Sequence, residues 1–260
     1  MIETLGKWTI AQWMRMGDPF LLLSRSFWRL LGSIWGRSLR RNEILKQIYE
    51  CAVLSIPVIA FSLSIVSLMS VLEFSWHMKI VLKQDALVPG FAMVLTIREV
   101  APVVAAMLLA ARVGASIAAE IGVMKNTEQL DQLKLLAVSE IDYLLIPRWV
   151  GCVVATSSLT LVSLLIAGWV TCFLGSKWMG YQPGEFFNSL FIFTKGYDLM
   201  GCMIKSLCFG TLIPFVSASY GLRCAQGSQG VGEAATQAVA KSTLLIIILD
   251  LLINSIWWMP

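Results

Sequence analysis

Five long apolar runs dominate the chain, separated by polar or mixed stretches. The runs cover residues 51–72, 86–111, 149–174, 201–220 and 239–258. Each reaches the roughly 20 apolar residues that cross a bilayer as a helix. A helix also satisfies its own backbone groups in lipid, so the pattern predicts five transmembrane helices. Pro57, inside the first run, is expected to bend it or free a carbonyl. The intervening stretches read as a loop over 73–85, a polar segment over 112–148, an aromatic-rich loop over 175–200 containing Pro183-Gly184, and a glycine-rich connector over 221–233. Ahead of the first run, Leu21, Leu22, Phe27, Trp28, Leu30, Leu31, Ile34 and Trp35 alternate with Arg25, Arg29, Arg37, Arg40 and Arg41. That alternation predicts an amphipathic helix lying in the membrane interface within residues 1–50. No internal repeat is visible.

Composition supports the same class. The 260 residues are 57% hydrophobic and 14% charged, against about 25% charged in soluble domains. The expected fold is an all-α integral membrane protein forming one domain over 1–260, with 1–50 cytoplasmic or interfacial and 51–260 the transmembrane bundle. The net charge of +4 matters through its placement. Lys7, Arg15, Arg25, Arg29, Arg37, Arg40, Arg41 and Lys46 crowd the N-terminal region, which the positive-inside bias assigns to the cytoplasm. Five spans then carry the C-terminus outward, with Trp257 and Trp258 at the exit interface. No cleavable signal is expected, because the apolar run 20–23 is short and Arg25 follows it. The six cysteines form no CxxC pair and read as small apolar residues in helices. His77, placed in the first loop, is the single histidine, so neither a metal site nor a cofactor is expected. No GxxxxGK[ST] phosphate loop occurs, and Gly227, Gly230 and Gly232 read as a flexible connector rather than a nucleotide motif. Nothing points to nucleic acid.

Four charges interrupt the apolar runs: Arg98 and Glu99 in the second, Lys205 in the fourth and Asp250 in the fifth. A charge near a bilayer centre costs about 2.5–3.5 kcal/mol unless it is paired or wetted. Neighbouring helix residues point about 100° apart, so Arg98 and Glu99 do not simply neutralise one another. A polar seam shared by spans two, four and five accounts for all four charges. It reads either as a working site or as structural pairing alone. Pro102 adds to it by leaving a carbonyl one turn earlier without its usual donor.

From the end of the second run onward, Ala111, Gly114, Ala115, Ser116, Ala118 and Ala119 permit close helix packing. Asn126 reads as a helix cap, with Glu128 in the first turn and Gln129 three residues on. Leu130, Leu133, Leu136 and Ala137 then share one face. This predicts a short amphipathic helix over 126–137, between spans two and three, of a kind that can dock on a partner protein.

The segment REVAPVVAAMLLAARVGASIAAEIGVMKNTEQLDQLKLLAVSEIDYLLIPR closely resembles the signature of MlaE/YrbE-type permeases, the membrane subunits of ABC transporters that work with MCE-domain proteins. CMIKS before Phe209 and TLLIIILDLLIN are similar to that family's fourth and fifth spans, and the resemblance covers most of residues 45–256. The first span departs from the pattern, with Ser62, Ser64 and Ser67 at small-residue positions and Glu73 where glutamine is common. The resemblance implies a homodimer in the cell inner membrane, cytoplasmic ABC ATPase subunits, an MCE-domain partner outside, and phospholipid or a related amphiphile as cargo. It implies that 126–137 is the coupling helix, with Glu120, Lys125, Asn126, Thr127, Glu128, Gln129, Asp131 and Leu133 as the ATPase-coupling residues. It places Arg98, Glu99, Val100, Lys205 and Asp250 at the lipid cavity. The chain is accordingly read as a non-catalytic subunit. The rival readings are an intramembrane enzyme using Asp250 or Glu99, for which no paired-aspartate, Ser/His or metal motif is present, and a membrane scaffold, which needs no polar seam.

Overall fold

A computed structural model describes residues 41–81, 88–136, 141–180 and 182–257, and the described residues hold helices and no strand. Most of the N-terminal segment expected to form an interfacial helix lies outside them, as do Ala137, Trp258 and Pro260. Among the described residues, five helical stretches are long and apolar enough to cross a membrane: Asn42–His77, Gly90–Asn126, Tyr143–Trp178, Gly196–Leu222 and Ser228–Trp257. The elements are α1 (Arg41–Cys51), α2 (Ile56–Val81), α3 (Val88–Leu95), α4 (Ala101–Leu109), α5 (Ala115–Asn126), α6 (Gln129–Leu135), α7 (Ile146–Met179), α8 (Pro183–Phe193), α9 (Gly196–Leu222) and α10 (Ser228–Trp257). Widened π turns at Thr96–Val100 and Ala110–Gly114 link α3 to α4 and α4 to α5, and a third, Ile141–Leu145, leads into α7.

Several sequence expectations are corrected. Pro57 is not among them, since the carbonyl of Val53 is freed from α-helical bonding as expected. It sits in the first turn of α2, where a missing N–H is harmless. The carbonyl it would have served, that of Val53, accepts from Ile56 N–H instead, which tightens Val53–Ser55 into a 3₁₀ turn. His77 lies in α2 rather than in a loop. The second span does not stop near Ala111 but continues to Asn126, because Val113, Ile117, Ala118 and Ile121 remain buried at helical spacing. The 175–200 stretch is largely helical: α7 runs on to Met179, and α8 starts at Pro183 behind a Gln182/Glu185 capping box. The 221–233 connector shrinks to a few residues, since α10 begins at Ser228 directly after Gly227, whose φ is +90°.

The chain divides into two compact units. Among the described residues, one comprises 41–47, 110–136, 141–152 and 211–245. In it, the end of α5 is tied to the link between α9 and α10. Lys125 Nζ donates to Cys224 O at 2.8 Å, and the Asn126 amide donates to Ala225 O at 3.4 Å and to Gly227 O at 3.3 Å. The other comprises, among the described residues, 48–81, 88–109, 153–180, 182–210 and 246–257. Its core joins Leu63, Ile97, Ala101, Leu164, Ala167 and Cys202, and a second cluster joins Val71, Ala92, Met93, Cys172 and Phe186. Ser67 Oγ donates to Met93 Sδ at 3.2 Å and accepts from Thr171 Oγ1 at 3.0 Å, so a serine at a small-residue position links three helices. At Gly90, α3 meets α8 so closely that a Cβ would collide with the Ser189 carbonyl.

Candidate functional site

The polar seam is built in the second of these units. Pro102 has no N–H to return to the carbonyl of Arg98, four residues earlier. The helical ladder shifts by one residue there. Thr96–Val100 form a π turn in which Ala101 N–H donates to Thr96 O. Such turns recur at functional sites. Lys205, on α9, supplies the missing donor, with its Nζ 2.9 Å from Arg98 O. The same ammonium lies 3.0 Å from Glu99 Oε2 and 2.9 Å from Asp250 Oδ1. Two of the three ammonium protons are used in hydrogen bonds, to Arg98 O and Glu99 Oε2, while Asp250 Oδ1 is held by charge without hydrogen-bond geometry. The Lys205 side chain is only 2% exposed, so this matching is what makes its burial tolerable.

Asn254 follows Asp250 by one turn of α10 and faces the same way. Its Nδ2 donates to Glu99 Oε2 at 2.8 Å and to Asp250 Oδ2 at 3.2 Å. One ammonium and one amide thus both link the two carboxylates. Arg98 takes a different partner. Its Nε donates to Asp198 Oδ1 at 2.8 Å, and Asp198, 1% exposed, also accepts from Lys195 N–H at 2.8 Å. The side chain of Arg98 thus pairs with Asp198, while its carbonyl joins the Lys205 cluster. The five charged groups carry two positive and three negative charges, not the balanced four that the sequence suggested. Val100 brings no polar side-chain atom and packs on the core around Ile97 and Ala101.

Sequence reasoning missed Asp198 and Asn254. The spacing of Asn254 from Asp250 was a usable signal, since four residues bring two helical positions onto one face. Asp198 carried no such signal, lying in a stretch read as a loop.

The residues assigned to coupling lie in the other unit. Glu120 Oε1 pairs with Arg148 Nη2 at 2.8 Å. Asn126 does not cap α6: it ends α5, and the capping position falls to Glu128, in the left-handed region at φ +58° with no side-chain bond to the helix. Thr127 Oγ1 returns a bond to Val123 O at 3.0 Å, and Asp131 pairs with Lys134 at 2.9 Å. Thr127, Glu128, Gln129 and Asp131 are exposed, and Leu133 is half-buried. Along the expected apolar face Leu130 is buried, Leu133 half-buried and Leu136 72% exposed, and Ala137 lies outside the described residues.

Residues 44–256 match the family described as permease MlaE. Over 260 residues the chain is 31% identical to a probable ABC transporter permease protein of Rickettsia bellii, covering 98% of this chain and 97% of that one. It is 28% identical over 262 residues to the intermembrane phospholipid transport system permease protein MlaE of Haemophilus influenzae, covering 98% and 96%. It is 42% identical over 151 residues to a probable ABC transporter permease protein of Synechocystis, where the match spans 58% of this chain and only 57% of the relative. A similar protein of Porphyra purpurea is likewise matched over 54% of its length.

Proposed function

The chain belongs to the MlaE permease family, and from that membership we propose that it is the membrane subunit of an ABC transporter moving phospholipid between the inner membrane and an MCE-domain partner. The relative from Haemophilus influenzae is named for intermembrane phospholipid transport. The observation that carries the reading is Lys205, held by Glu99, Asp250 and the Arg98 carbonyl inside otherwise apolar helices. A scaffold gains nothing from charges that cost this much to insert. The whole of 1–260 acts as one permease domain, two copies form a homodimer, and ATP is hydrolysed in separate cytoplasmic subunits.

In this proposal Lys205 and Asp250 hold the site from within, and Arg98 and Glu99 form its accessible edge, their side chains 31% and 37% exposed. Opposite charges at that edge suit the phosphate of a headgroup on one side and an ammonium on the other. Asp198 keeps the guanidinium in position. Coupling runs through Glu120, Lys125, Asn126, Thr127, Glu128, Gln129, Asp131 and Leu133. The bonds from Lys125 and Asn126 to the 224–227 backbone give a displacement of α6 a path to the start of α10. Reversing both exposed acids, Glu128→Lys with Asp131→Lys, introduces like-charge clashes worth several kcal/mol if the partner surface is basic. The expected result is a loss of co-purifying ATPase of about tenfold or more, with the permease itself still inserted and monodisperse. Undiminished ATPase recovery would remove these residues from the interface.

The orientation proposed is a cytoplasmic N-terminus and an outward C-terminus, resting on the basic N-terminal residues and five spans. A reporter fused after Pro260 should read from the outer side, and a cytoplasmic signal would overturn the odd-span arrangement.

A further inference from the structure

The charges of the seam do not balance. Arg98 and its buried partner Asp198 cancel. Lys205 faces two carboxylates, Glu99 at 3.0 Å and Asp250 at 2.9 Å, and Asn254, which links the same two, is neutral. Among the described residues no other cation pairs with either carboxylate. The seam therefore carries one negative charge in excess. An uncompensated charge inside apolar helices is costly, so the excess calls for a cation.

The two Glu99 oxygens show where that cation can enter. Oε2 takes both bonds, from Lys205 Nζ at 3.0 Å and from Asn254 Nδ2 at 2.8 Å. Oε1 accepts none among the described residues and is not buried, on a side chain that is 37% exposed. Asp250 offers no such opening, since its Oδ1 is buried and its Oδ2 accepts from Asn254. A metal cation needs several oxygen ligands, and Glu99 presents one. An ammonium N–H needs a single acceptor, and its bond to a carboxylate is charge-assisted. Glu99 also lies within the apolar span Gly90–Asn126. A lipid brings its ammonium there with the chains still in apolar surroundings, whereas a dissolved cation must first be stripped of water.

The phosphate of the headgroup sharpens the choice. Asp198 already neutralises Arg98, so a headgroup that brings phosphate alone adds a second unmatched negative charge. A headgroup with its own ammonium adds none. Such a repulsive element is a common source of specificity.

We propose that Glu99 Oε1 binds the headgroup ammonium and makes the seam selective for amine-bearing phospholipids over anionic ones, a reading that rests on the transport function proposed for the same site.

The test uses the full chain in mild detergent and sodium buffer, loaded with a phosphatidylethanolamine carrying a fluorophore on one acyl chain and challenged with unlabelled competitors. Loss of a charge-assisted bond corresponds to about tenfold in affinity, so phosphatidylethanolamine should displace the probe about tenfold better than phosphatidylglycerol. Its N-acetylated form keeps the phosphate and loses the ammonium, and should fall to the level of phosphatidylglycerol. Glu99→Gln leaves Lys205 matched to Asp250 alone and should bring the first two lipids to within about twofold. A purely structural role for Glu99 would weaken both alike and preserve their ratio. A ratio retained in Glu99→Gln would overturn the proposal. Should that variant not fold, N-acetylated lipid displacing the probe from the native protein as well as its parent does would overturn it equally. Displacement by millimolar ethanolammonium would assign Oε1 to a free cation instead. Equal displacement by all three lipids would leave the lipid site standing and overturn its selectivity, the excess charge then being met by a proton. Failure of the probe to bind at all would remove the site itself.

Discussion

Replacing Lys205 by methionine is expected to destabilise the protein more than any other single change in the seam. The substitution removes the ammonium that lies 3.0 Å from Glu99 and 2.9 Å from Asp250. It leaves two carboxylates sharing one amide, that of Asn254, and strips the donor from Arg98 O. Breaking a buried pair by removing one partner typically costs about 3–5 kcal/mol. The full upper end is expected here because like charges then face each other. Removing a carboxylate as well relieves that repulsion, so Lys205→Met with Glu99→Gln should recover a substantial part of the loss. Thermal unfolding in detergent across the four members of this cycle gives the coupling directly. Strictly additive losses would mean the groups do not interact energetically despite their distances.

The second large effect is expected at Gly90. A Cβ there would overlap the carbonyl of Ser189 and approach Leu190 N to 2.9 Å. Both obstacles are backbone, so no rotamer relieves them, and α3 and α8 must separate. Overpacking commonly costs about 1–3 kcal/mol and more where nothing can yield. Gly90→Ala should therefore lose about 3 kcal/mol, and Gly90→Val should fail to accumulate as folded protein. Gly168 is the control. A Cβ there meets only the flexible end of Met93, at 3.6 Å, and glycine in a helix interior is itself unfavourable relative to alanine by roughly 0.5–1 kcal/mol. Gly168→Ala should be neutral or mildly stabilising. Equal losses at the two glycines would show that helix propensity, not the α3–α8 approach, governs both.

The five spans were legible because about 20 apolar residues in a row have few alternatives to a membrane-crossing helix. Their ends were not. Arg112 looks like an exit from the membrane, yet the helix continues because Val113, Ile117 and Ile121 keep one face buried. Hydropathy marks where lipid contact stops, while helices persist wherever a face can still be packed. The short helix Pro183–Phe193 was hidden by Pro183-Gly184, a pair that reads as a turn but here opens a helix behind a capping box. The amphipathic pattern at 130–137 marks which residues share a face, not what covers that face.

In the seam, the composition of charges was readable and their pairing was not. The cost of insertion identifies Arg98, Glu99, Lys205 and Asp250 one by one, but only the fold sends Arg98 to Asp198 and Lys205 to the other two. The clue available beforehand was Pro102. It requires an unserved carbonyl at position 98, and Lys205 occupies that acceptor.

The central claim is that this membrane protein moves phospholipid by using ATP hydrolysed in a partner. The most direct measurement purifies the chain with its bound partners from native membranes, reconstitutes it with fluorescent phospholipid, and follows transfer to an acceptor. Transfer is expected to require ATP and to collapse in folded Lys205→Met with Glu99→Gln. ATP hydrolysis without any lipid movement, or lipid movement indifferent to ATP and to these residues, would contradict it.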